Sequence, residues 1–263
     1  IELDPDDASA YYNLGNAYSK QGNYTKAIEL WEKAIELDPD LALAYYNLGV
    51  TYGMQGNTAK AISFYLRCIE LDPDYPDAYY NLGVAYGMQG NYIKAIELYE
   101  KAIELDPELA MAYYNLGLAY DDQGNTAKEI ESYKKAIELK PDAAAAYYNL
   151  GIAYYDQGNY TKAIESYKKA IEIDPDFADA YYNMGLAYRK QGNTVKAIES
   201  YEKAIELDPD DAIAYYNLGL AYYDQGNYTK AIESYEKAIE LDPDDADAYY
   251  NMGLAYRKQG NTV

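Results

Sequence analysis

Asparagine recurs at one position in every 34-residue stretch of the chain, and its carboxamide is the most informative chemical group in the sequence. A carboxamide donates and accepts hydrogen bonds, so it can pair with the peptide groups of an extended ligand without reading the ligand's side chains. Asparagine is a mediocre helix former, so its regular use inside a helical pattern needs a further reason. We predict that the row binds a peptide backbone; the alternative is that each asparagine bonds a backbone or tyrosine neighbour between helices. The row comprises Asn13, Asn47, Asn81, Asn115, Asn149, Asn183, Asn217 and Asn251.

Composition excludes several other kinds of chemistry. The chain has no histidine and one cysteine, so it lacks the usual general base, the commonest zinc ligand and any intrachain disulfide. We therefore predict no enzymatic activity, no cofactor and no metal site. With 44 acidic and 22 basic side chains, the net charge is −22, which disfavours nucleic acid and membrane partners and favours a basic or neutral protein or peptide. The sequence does not determine the cellular compartment of the protein, although we favour the cytoplasm.

Prolines mark the elements that must position these residues. Proline recurs every 34 residues, a period typical of stacked supersecondary units. These residues are Pro5, Pro39, Pro73, Pro107, Pro141, Pro175, Pro209 and Pro243. Apolar spacing predicts two amphipathic helices in each unit, at about 8–21 and 24–37 in the first and at matching positions onward. Gly22-Asn23 supplies the break, because glycine accepts a left-handed conformation and asparagine caps the next helix. Pro39 ends the second helix, and we expect Asp40 or its neighbour to cap the following one.

The repeated unit resembles the tetratricopeptide repeat (TPR) family. The matching residues in the first unit are Tyr11, Leu14, Gly15, Tyr18, Ala27, Trp31, Ala34 and Pro39. The resemblance implies an all-α fold, an α-solenoid in which stacked antiparallel helix pairs form a right-handed superhelix. The asparagine row looks like the asparagine ladder in the TPR arm of O-linked N-acetylglucosamine transferase. A carboxylate clamp for chaperone C-termini is disfavoured, because the positions that would carry its lysines and arginine hold tyrosine and asparagine.

The resemblance also implies which residues line the inner surface of that superhelix. Beside the asparagines we place the tyrosine row Tyr12, Tyr46, Tyr80, Tyr114, Tyr148, Tyr182, Tyr216 and Tyr250. Positions that vary between units are candidates for specificity. They include the apolar residues Leu118, Ile152, Leu186 and Leu220 and the cationic pair Arg189 and Lys190. The alternative for the charged positions is a solvated helix end.

We expect residues 1–263 to form a single array. Seven full repeats are predicted at 8–41, 42–75, 76–109, 110–143, 144–177, 178–211 and 212–245. Residues 1–7 are interpreted as the tail of a preceding helix and 246–263 as a partial eighth repeat. Because both ends continue the internal pattern, we also expect molecules to stack end to end.

These features predict a non-enzymatic scaffold for protein-protein interaction. A concave groove would hold an extended or short helical peptide through the asparagine ladder and a tyrosine and aliphatic surface. Two alternatives stay open: the substrate-selecting arm of a larger enzyme, and a designed or idealised array without a natural ligand.

Two residues depart from the repeated pattern. Cys68 replaces a small alanine, and we interpret it as a compact apolar filler. Glu129 stands where the other full repeats have a close-packed alanine. We predict that this carboxylate is either buried at a cost or separates the helices, with widening or solvent access near 115–133.

Overall fold

The computed structural model describes residues 6–260, and within that range the chain is helical with no strand. Odd-numbered helices are the first helices of the repeats, and even-numbered helices are the second. They are α1 (Ala8–Lys20), α2 (Tyr24–Leu37), α3 (Ala42–Met54), α4 (Thr58–Leu71), α5 (Pro76–Met88), α6 (Tyr92–Leu105), α7 (Ala110–Asp122), α8 (Thr126–Leu139), α9 (Ala144–Asp156), α10 (Tyr160–Ile173), α11 (Ala178–Lys190), α12 (Thr194–Leu207), α13 (Ala212–Asp224), α14 (Tyr228–Leu241) and α15 (Ala246–Gln259). The predicted boundaries are confirmed to within about one residue.

The chain divides into two compact units, residues 1–139 and 140–263. Unit 1 contains α1–α8 and unit 2 contains α9–α15. Within each unit, a first helix packs against the second helix of its own repeat, which in turn packs against the first helix of the following repeat. This alternation confirms the predicted α-solenoid of helix pairs. The single array over the whole chain stays a prediction.

The Gly-Asn pairs break the helices as predicted. Gly22 adopts φ +77°, a left-handed conformation that is costly for residues with a Cβ atom. The side chain of Asn23 then accepts a hydrogen bond from the backbone N–H of Lys26 at 3.2 Å, which caps α2. The same geometry recurs at the pairs from Gly56-Asn57 to Gly226-Asn227, so the chain turns at the same position in each of these repeats.

Capping of the first helices differs from the prediction at Asp40. The residue at the start of α3 is Leu41, which makes no side-chain capping bond. Asp38 instead accepts a hydrogen bond from the backbone N–H of Asp40 at 3.1 Å, so the carboxylate stabilises the turn. Aspartate caps a first helix only where it lies immediately before it, as Asp7 and Asp211 do.

Close approach of the two helices explains why glycine and an aromatic residue recur in the repeats. A Cβ atom on Gly49 would lie 2.6 Å from Cε1 of Tyr65, whose side chain is buried. The tyrosine ring therefore occupies the space that any other residue would need. Alanines such as Ala27 and Ala61, which are at most 1% exposed, allow the same approach on the second helix.

Glu129 is buried, being 4% exposed, in the place where the other second helices of full repeats carry alanine. The Cβ position of Gly117 lies 2.5 Å from the Tyr133 ring, compared with 2.4 Å at Gly151 and 2.6 Å at Gly49. The helices are therefore not separated at the contact between Gly117 and Tyr133, and the expected widening is absent there. Burial of the carboxylate is the outcome that the structure supports.

Replacing Glu129 by alanine is expected to raise the free energy of unfolding by about 1 kcal/mol, because the carboxylate is no longer desolvated. Urea unfolding followed by circular dichroism measures the change. Glu131→Ala on the exposed side of the same helix is the control and is expected to stay within about 0.5 kcal/mol of the parent. No change, or a loss of stability, in Glu129→Ala would contradict the prediction.

Two buried tyrosine hydroxyls lack a hydrogen-bond partner among the described residues, those of Tyr201 and Tyr235. Both side chains are 0% exposed. In the same unit, the hydroxyl of Tyr222 donates to Glu202 Oε1 at 2.5 Å and accepts from Lys230 Nζ at 3.2 Å. A buried hydroxyl without a partner costs stability, whereas a paired one contributes to it.

We therefore expect Tyr235→Phe to raise the free energy of unfolding by about 1 kcal/mol and Tyr222→Phe to lower it by a similar amount. Chemical denaturation of the two variants measures both changes. Each variant removes a single oxygen from a buried ring. If both changes in the free energy of unfolding had the same sign, hydrogen bonding of the hydroxyl would not explain them.

Candidate functional site

The predicted asparagine and tyrosine rows meet each other in the structure. The Nδ2 group of an asparagine donates to the hydroxyl of the tyrosine 35 residues earlier, in the preceding repeat. The distances are 3.4 Å for Asn47 to Tyr12, 3.1 Å for Asn81 to Tyr46, 3.0 Å for Asn115 to Tyr80, 2.8 Å for Asn183 to Tyr148, 3.1 Å for Asn217 to Tyr182 and 3.0 Å for Asn251 to Tyr216. These are bonds that the alternative, structural interpretation predicted.

A second bond sets the orientation of the carboxamide. Nδ2 of Asn81 also donates to the backbone carbonyl of Asp77 at 2.9 Å, and Asn217 does the same to Ile213 at 2.9 Å. A backbone carbonyl only accepts, so the atom that faces it must be the NH₂ group. Both amide hydrogens are then used within the protein. What such an asparagine offers a ligand is its carbonyl oxygen, which accepts a ligand N–H.

Exposure differs along the asparagine row. Asn13 is exposed and Asn81 is half-buried, whereas Asn217 is 8% exposed and belongs to the buried residues. A surface ligand can therefore reach Asn13 and Asn81 more readily than Asn217. Binding of a peptide backbone by the whole row stays a prediction.

Within the tyrosine row, Tyr46 and Tyr182 are held as neutral phenols. Burial raises the pKa of Tyr46 to about 12, with a smaller contribution from the nearby carboxylate of Asp77. Burial also raises the pKa of Tyr182 to about 12. A neutral hydroxyl that accepts from asparagine keeps its own hydrogen, so it can donate to a ligand carbonyl.

In unit 1, two hollows lie on the surface formed by the first helices. The first hollow, of about 320 Å³, is lined by Tyr12, Asn16, Lys20, Asn47, Val50 and Met54. The second hollow, of about 170 Å³, is lined by Val50, Gly53, Met54, Asn81, Val84 and Met88. Val50 and Met54 border both, so the hollows adjoin. Each has one asparagine of the predicted row in its lining; the second is mostly apolar, an arrangement typical of peptide and ligand sites, whereas the first also contains Asn16 and Lys20.

In unit 2, side chains of the protein cover the matching positions. Tyr155 packs edge-on against Tyr160 with 5.3 Å between ring centroids, and Tyr223 packs in the same way on Tyr228. Nε of Arg189 forms a 2.9 Å ion pair with Asp224 in the following repeat. Arg189, predicted as a specificity residue, is thus already paired.

The remaining predicted residues take different positions. Lys190 is exposed, and Leu118 is 36% exposed. Ile152, Leu186 and Leu220 are half-buried. Tyr250 is 67% exposed, whereas Tyr114 is half-buried and packs on Tyr133 with 5.9 Å between ring centroids. Exposure therefore differs among the predicted residues, and their joint role in binding stays a prediction.

Sequence reasoning missed a cavity of about 600 Å³ in unit 1, lined by residues of α6, α7 and α8. At its edge the hydroxyl of Tyr120 donates to Glu100 Oε1 at 2.8 Å and accepts from Lys128 Nζ at 3.1 Å. The cavity is also lined by Leu116 and Ser132, which lie in the 115–133 region where solvent access was expected, but Glu129 itself stays buried. The regular tyrosine and lysine positions were the signal, but the spacing alone does not show that these residues come together.

Over residues 6–260, no cluster of histidine, cysteine, aspartate or glutamate side chains is arranged to hold a metal ion. None of the helices in that range is both long enough and apolar enough to cross a membrane. Cys68 is buried, and burial raises the pKa of its thiol to about 11, in keeping with its predicted packing role.

Comparison with protein families agrees with this architecture. The family described as TPR repeat matches residues 1–22, 15–56, 54–90, 122–158, 153–192, 185–226 and 219–260. Two further families, both described as tetratricopeptide repeat, match residues 76–109 and 98–131. The chain belongs to the tetratricopeptide repeat family. No curated protein sequence matches this TPR chain.

Several solved TPR structures are similar to the chain. The crystal structure of MamA is 36% identical, covers 63% of this chain and 97% of its own, and gives a TM-score of 0.61. The structure of YrrB, described as a TPR protein with an unusual peptide-binding site, is 29% identical, covers 70% of this chain and 95% of its own, and gives a TM-score of 0.64. A TPR protein from Cytophaga hutchinsonii, at 22% identity, covers 92% of this chain and 99% of its own with a TM-score of 0.78, which shows the shared fold.

Proposed function

We propose that this TPR chain is a non-enzymatic scaffold for protein-protein interaction, and that the first-helix surface of unit 1 binds an extended or short helical peptide. The observation that carries the proposal is the pair of adjoining hollows, which share the apolar residues Val50 and Met54 and each have one asparagine of the predicted row in their lining. The family membership and the peptide-binding site named for YrrB support it.

The hydrogen-bonding pattern indicates how a peptide would be held. Carbonyl oxygens of Asn47 and Asn81 would accept N–H groups of the ligand, while neutral tyrosine hydroxyls would donate to its carbonyls. Apolar walls would then bury the ligand's side chains. The net charge of −22 favours a basic or neutral partner through faster encounter, and disfavours nucleic acid and anionic membranes.

Selection of random dodecapeptides displayed on phage against the full chain tests the proposal. We expect enrichment of neutral or basic peptides whose affinity falls at least tenfold in Asn81→Ala. Failure to enrich any peptide, or binding that does not depend on Asn81, would contradict it.

A matched variant separates ligand contact from helix packing. Asn217→Ala removes the same two kinds of bond in unit 2, at the same distances of 3.1 Å to tyrosine and 2.9 Å to a carbonyl. Its unfolding free energy measures the structural cost of losing these bonds. Equal losses of affinity in the two variants would show that Asn81 acts only by holding helices together.

We also propose end-to-end association of molecules, because the last described helix leaves Tyr249 and Tyr250 48% and 67% exposed. Sedimentation velocity over a concentration series is expected to show reversible self-association. A strict monomer up to millimolar protein would argue against it.

A further inference from the structure

Gly53 and Gly87 are glycines that neither the backbone nor the packing requires. Both lie in the last turn of their helices, and neither has a positive φ. A Cβ atom on Gly53 would lie 3.7 Å from Oη of Tyr65 and 3.8 Å from Cβ of Ala61, which are ordinary van der Waals distances. Gly87 would meet Tyr99 Oη at 3.7 Å. Since glycine is among the least favourable helix residues, its presence at both positions calls for another cause.

The missing side chain at Gly53 leaves the second hollow open. The matching positions of unit 2 hold the large residues Tyr155, Arg189 and Tyr223. These side chains pack on Tyr160, pair with Asp224 and pack on Tyr228, respectively. The hollow of about 170 Å³ has Tyr65 and Ala61 in its lining and Asn81 at its side. A cavity of about 150 Å³ with apolar walls is large enough to bind benzene, so this hollow can receive a leucine, methionine or phenylalanine side chain.

Two methionines form the rim of the second hollow and are unusually exposed for their size. Met54 is 66% exposed and Met88 is 75% exposed. Exposure of apolar side chains to water is unfavourable in free energy unless a partner covers them. Methionine adapts its shape to different ligand side chains. The rim can therefore close over an inserted side chain.

An acidic group lies one repeat further along the same unit. Asp121 and Asp122 lie one repeat after Gly87 and Met88, at the matching positions, and Glu129 matches Ala95. Asp121 and Asp122 are exposed at the end of α7, whereas Glu129 is buried. Burial raises the pKa of Tyr133 in the same repeat, and these three carboxylates raise it further. A cationic side chain would be attracted to this end of the surface.

We propose that the second hollow is an anchor subsite for one apolar side chain of a partner protein segment that carries lysine or arginine a few residues further on, towards Asp121 and Asp122. This inference rests on the proposed peptide-binding function and names the class of peptide. The glycine provides the space, the methionines cover the inserted side chain, and the carboxylates set the direction of the bound segment.

Methyl NMR of the full chain tests the subsite directly. The five methionines are Met54, Met88, Met111, Met184 and Met252, and ¹³C labelling of their methyl groups reports each part of the chain separately. Titration with benzene is expected to shift Met54 and Met88 in a saturable manner and to leave Met184 and Met252 unchanged. Shifts spread over all five, or none at Met54 and Met88, would overturn the subsite without touching the proposed function.

Peptides from the phage selection supply the second test. Gly53→Leu fills the hollow and is expected to weaken their binding at least tenfold, and so is Met54→Glu, which leaves the helix core unaltered. Tyr223→Leu places the same side chain at the matching position of unit 2 and is expected to leave the affinity unchanged. An unchanged Met111 resonance verifies that unit 1 folds in the Gly53→Leu and Met54→Glu variants, and an unchanged Met184 resonance does so for unit 2 in Tyr223→Leu.

The peptide outcomes separate the two proposals. Selected peptides that combine an apolar residue with a following lysine or arginine, and that lose affinity in Gly53→Leu, support the subsite. Peptides that bind through Asn81 but are indifferent to Gly53→Leu and Met54→Glu would overturn the subsite and leave the proposed function standing. If no peptide is enriched, both fall.

Discussion

Raising the pH from about 10 to about 12 is expected to unfold the protein cooperatively, because burial holds many tyrosines in the protonated form. Burial raises the pKa of the tyrosines that pack against the first-helix glycines. They are Tyr65, Tyr99, Tyr133, Tyr167, Tyr201 and Tyr235. All six are at most 4% exposed.

The direction of this pH dependence follows from the number of protons that the folded and unfolded chains bind. Below about pH 10 these tyrosines are protonated in both the folded and the unfolded chain, so their contribution to stability is fully present. Above that pH the unfolded chain loses protons that the folded chain keeps, and stability falls with further increase. Each buried tyrosine contributes up to about 1.4 kcal/mol per pH unit in this window, so several together exceed the stability of an ordinary domain.

Circular dichroism and phenolate absorbance, recorded together over the titration, measure the effect. We expect loss of helix and appearance of phenolate to share one steep transition. Tyr167→Phe, which removes one buried ionisable group, is expected to shift the transition to higher pH. Gradual phenolate formation with the helix signal intact would mean that these hydroxyls ionise in the folded state.

Gly49→Ala is expected to lower the free energy of unfolding by about 2 kcal/mol, whereas Gly53→Ala, four residues later in α3, is expected to raise it by up to about 1 kcal/mol. The added methyl group at Gly49 would lie 2.6 Å from the buried ring of Tyr65, and at Gly53 its nearest neighbour is 3.7 Å away. Alanine improves helix propensity at both positions, so a difference in sign isolates the packing term.

Urea unfolding of the two variants side by side checks this expectation. Because they share a helix and a chemical change, the comparison needs no correction for the unfolded state. Stabilisation by both substitutions would mean that the Tyr65 ring moves aside at little cost. Destabilisation by both would mean that Gly53 has a packing role, which would also weaken the case for the hollow.

The helices were predictable because their signals are local. Glycine at position 22 and asparagine at position 23 need only the conformation of their own backbone to break a helix, so the boundaries follow from residue types and spacing. The cap of α3 was less predictable, since Asp40 was equally suited to a cap and to the turn that Asp38 forms with it.

The candidate site was predictable in part. The asparagine row and its tyrosine neighbours were recognised from their period alone, but the hydrogen bond from Asn81 to Tyr46 joins residues 35 apart and depends on how successive repeats pack. Spacing likewise showed that Gly53 and Tyr155 occupy matching positions, without showing that one leaves a hollow open and the other packs on Tyr160.

The repeat length, the two helices of each unit and the positions that face each other follow from sequence, because helix periodicity and turn chemistry act over a few residues. Contacts between repeats decide the rest. They determine which amide hydrogens of the asparagines form hydrogen bonds, which asparagines are buried and where the surface is open. Those contacts depend on the volumes of side chains distant in the chain, so only the packed structure can show that unit 1 presents open hollows at positions that unit 2 covers with its own tyrosine and arginine side chains.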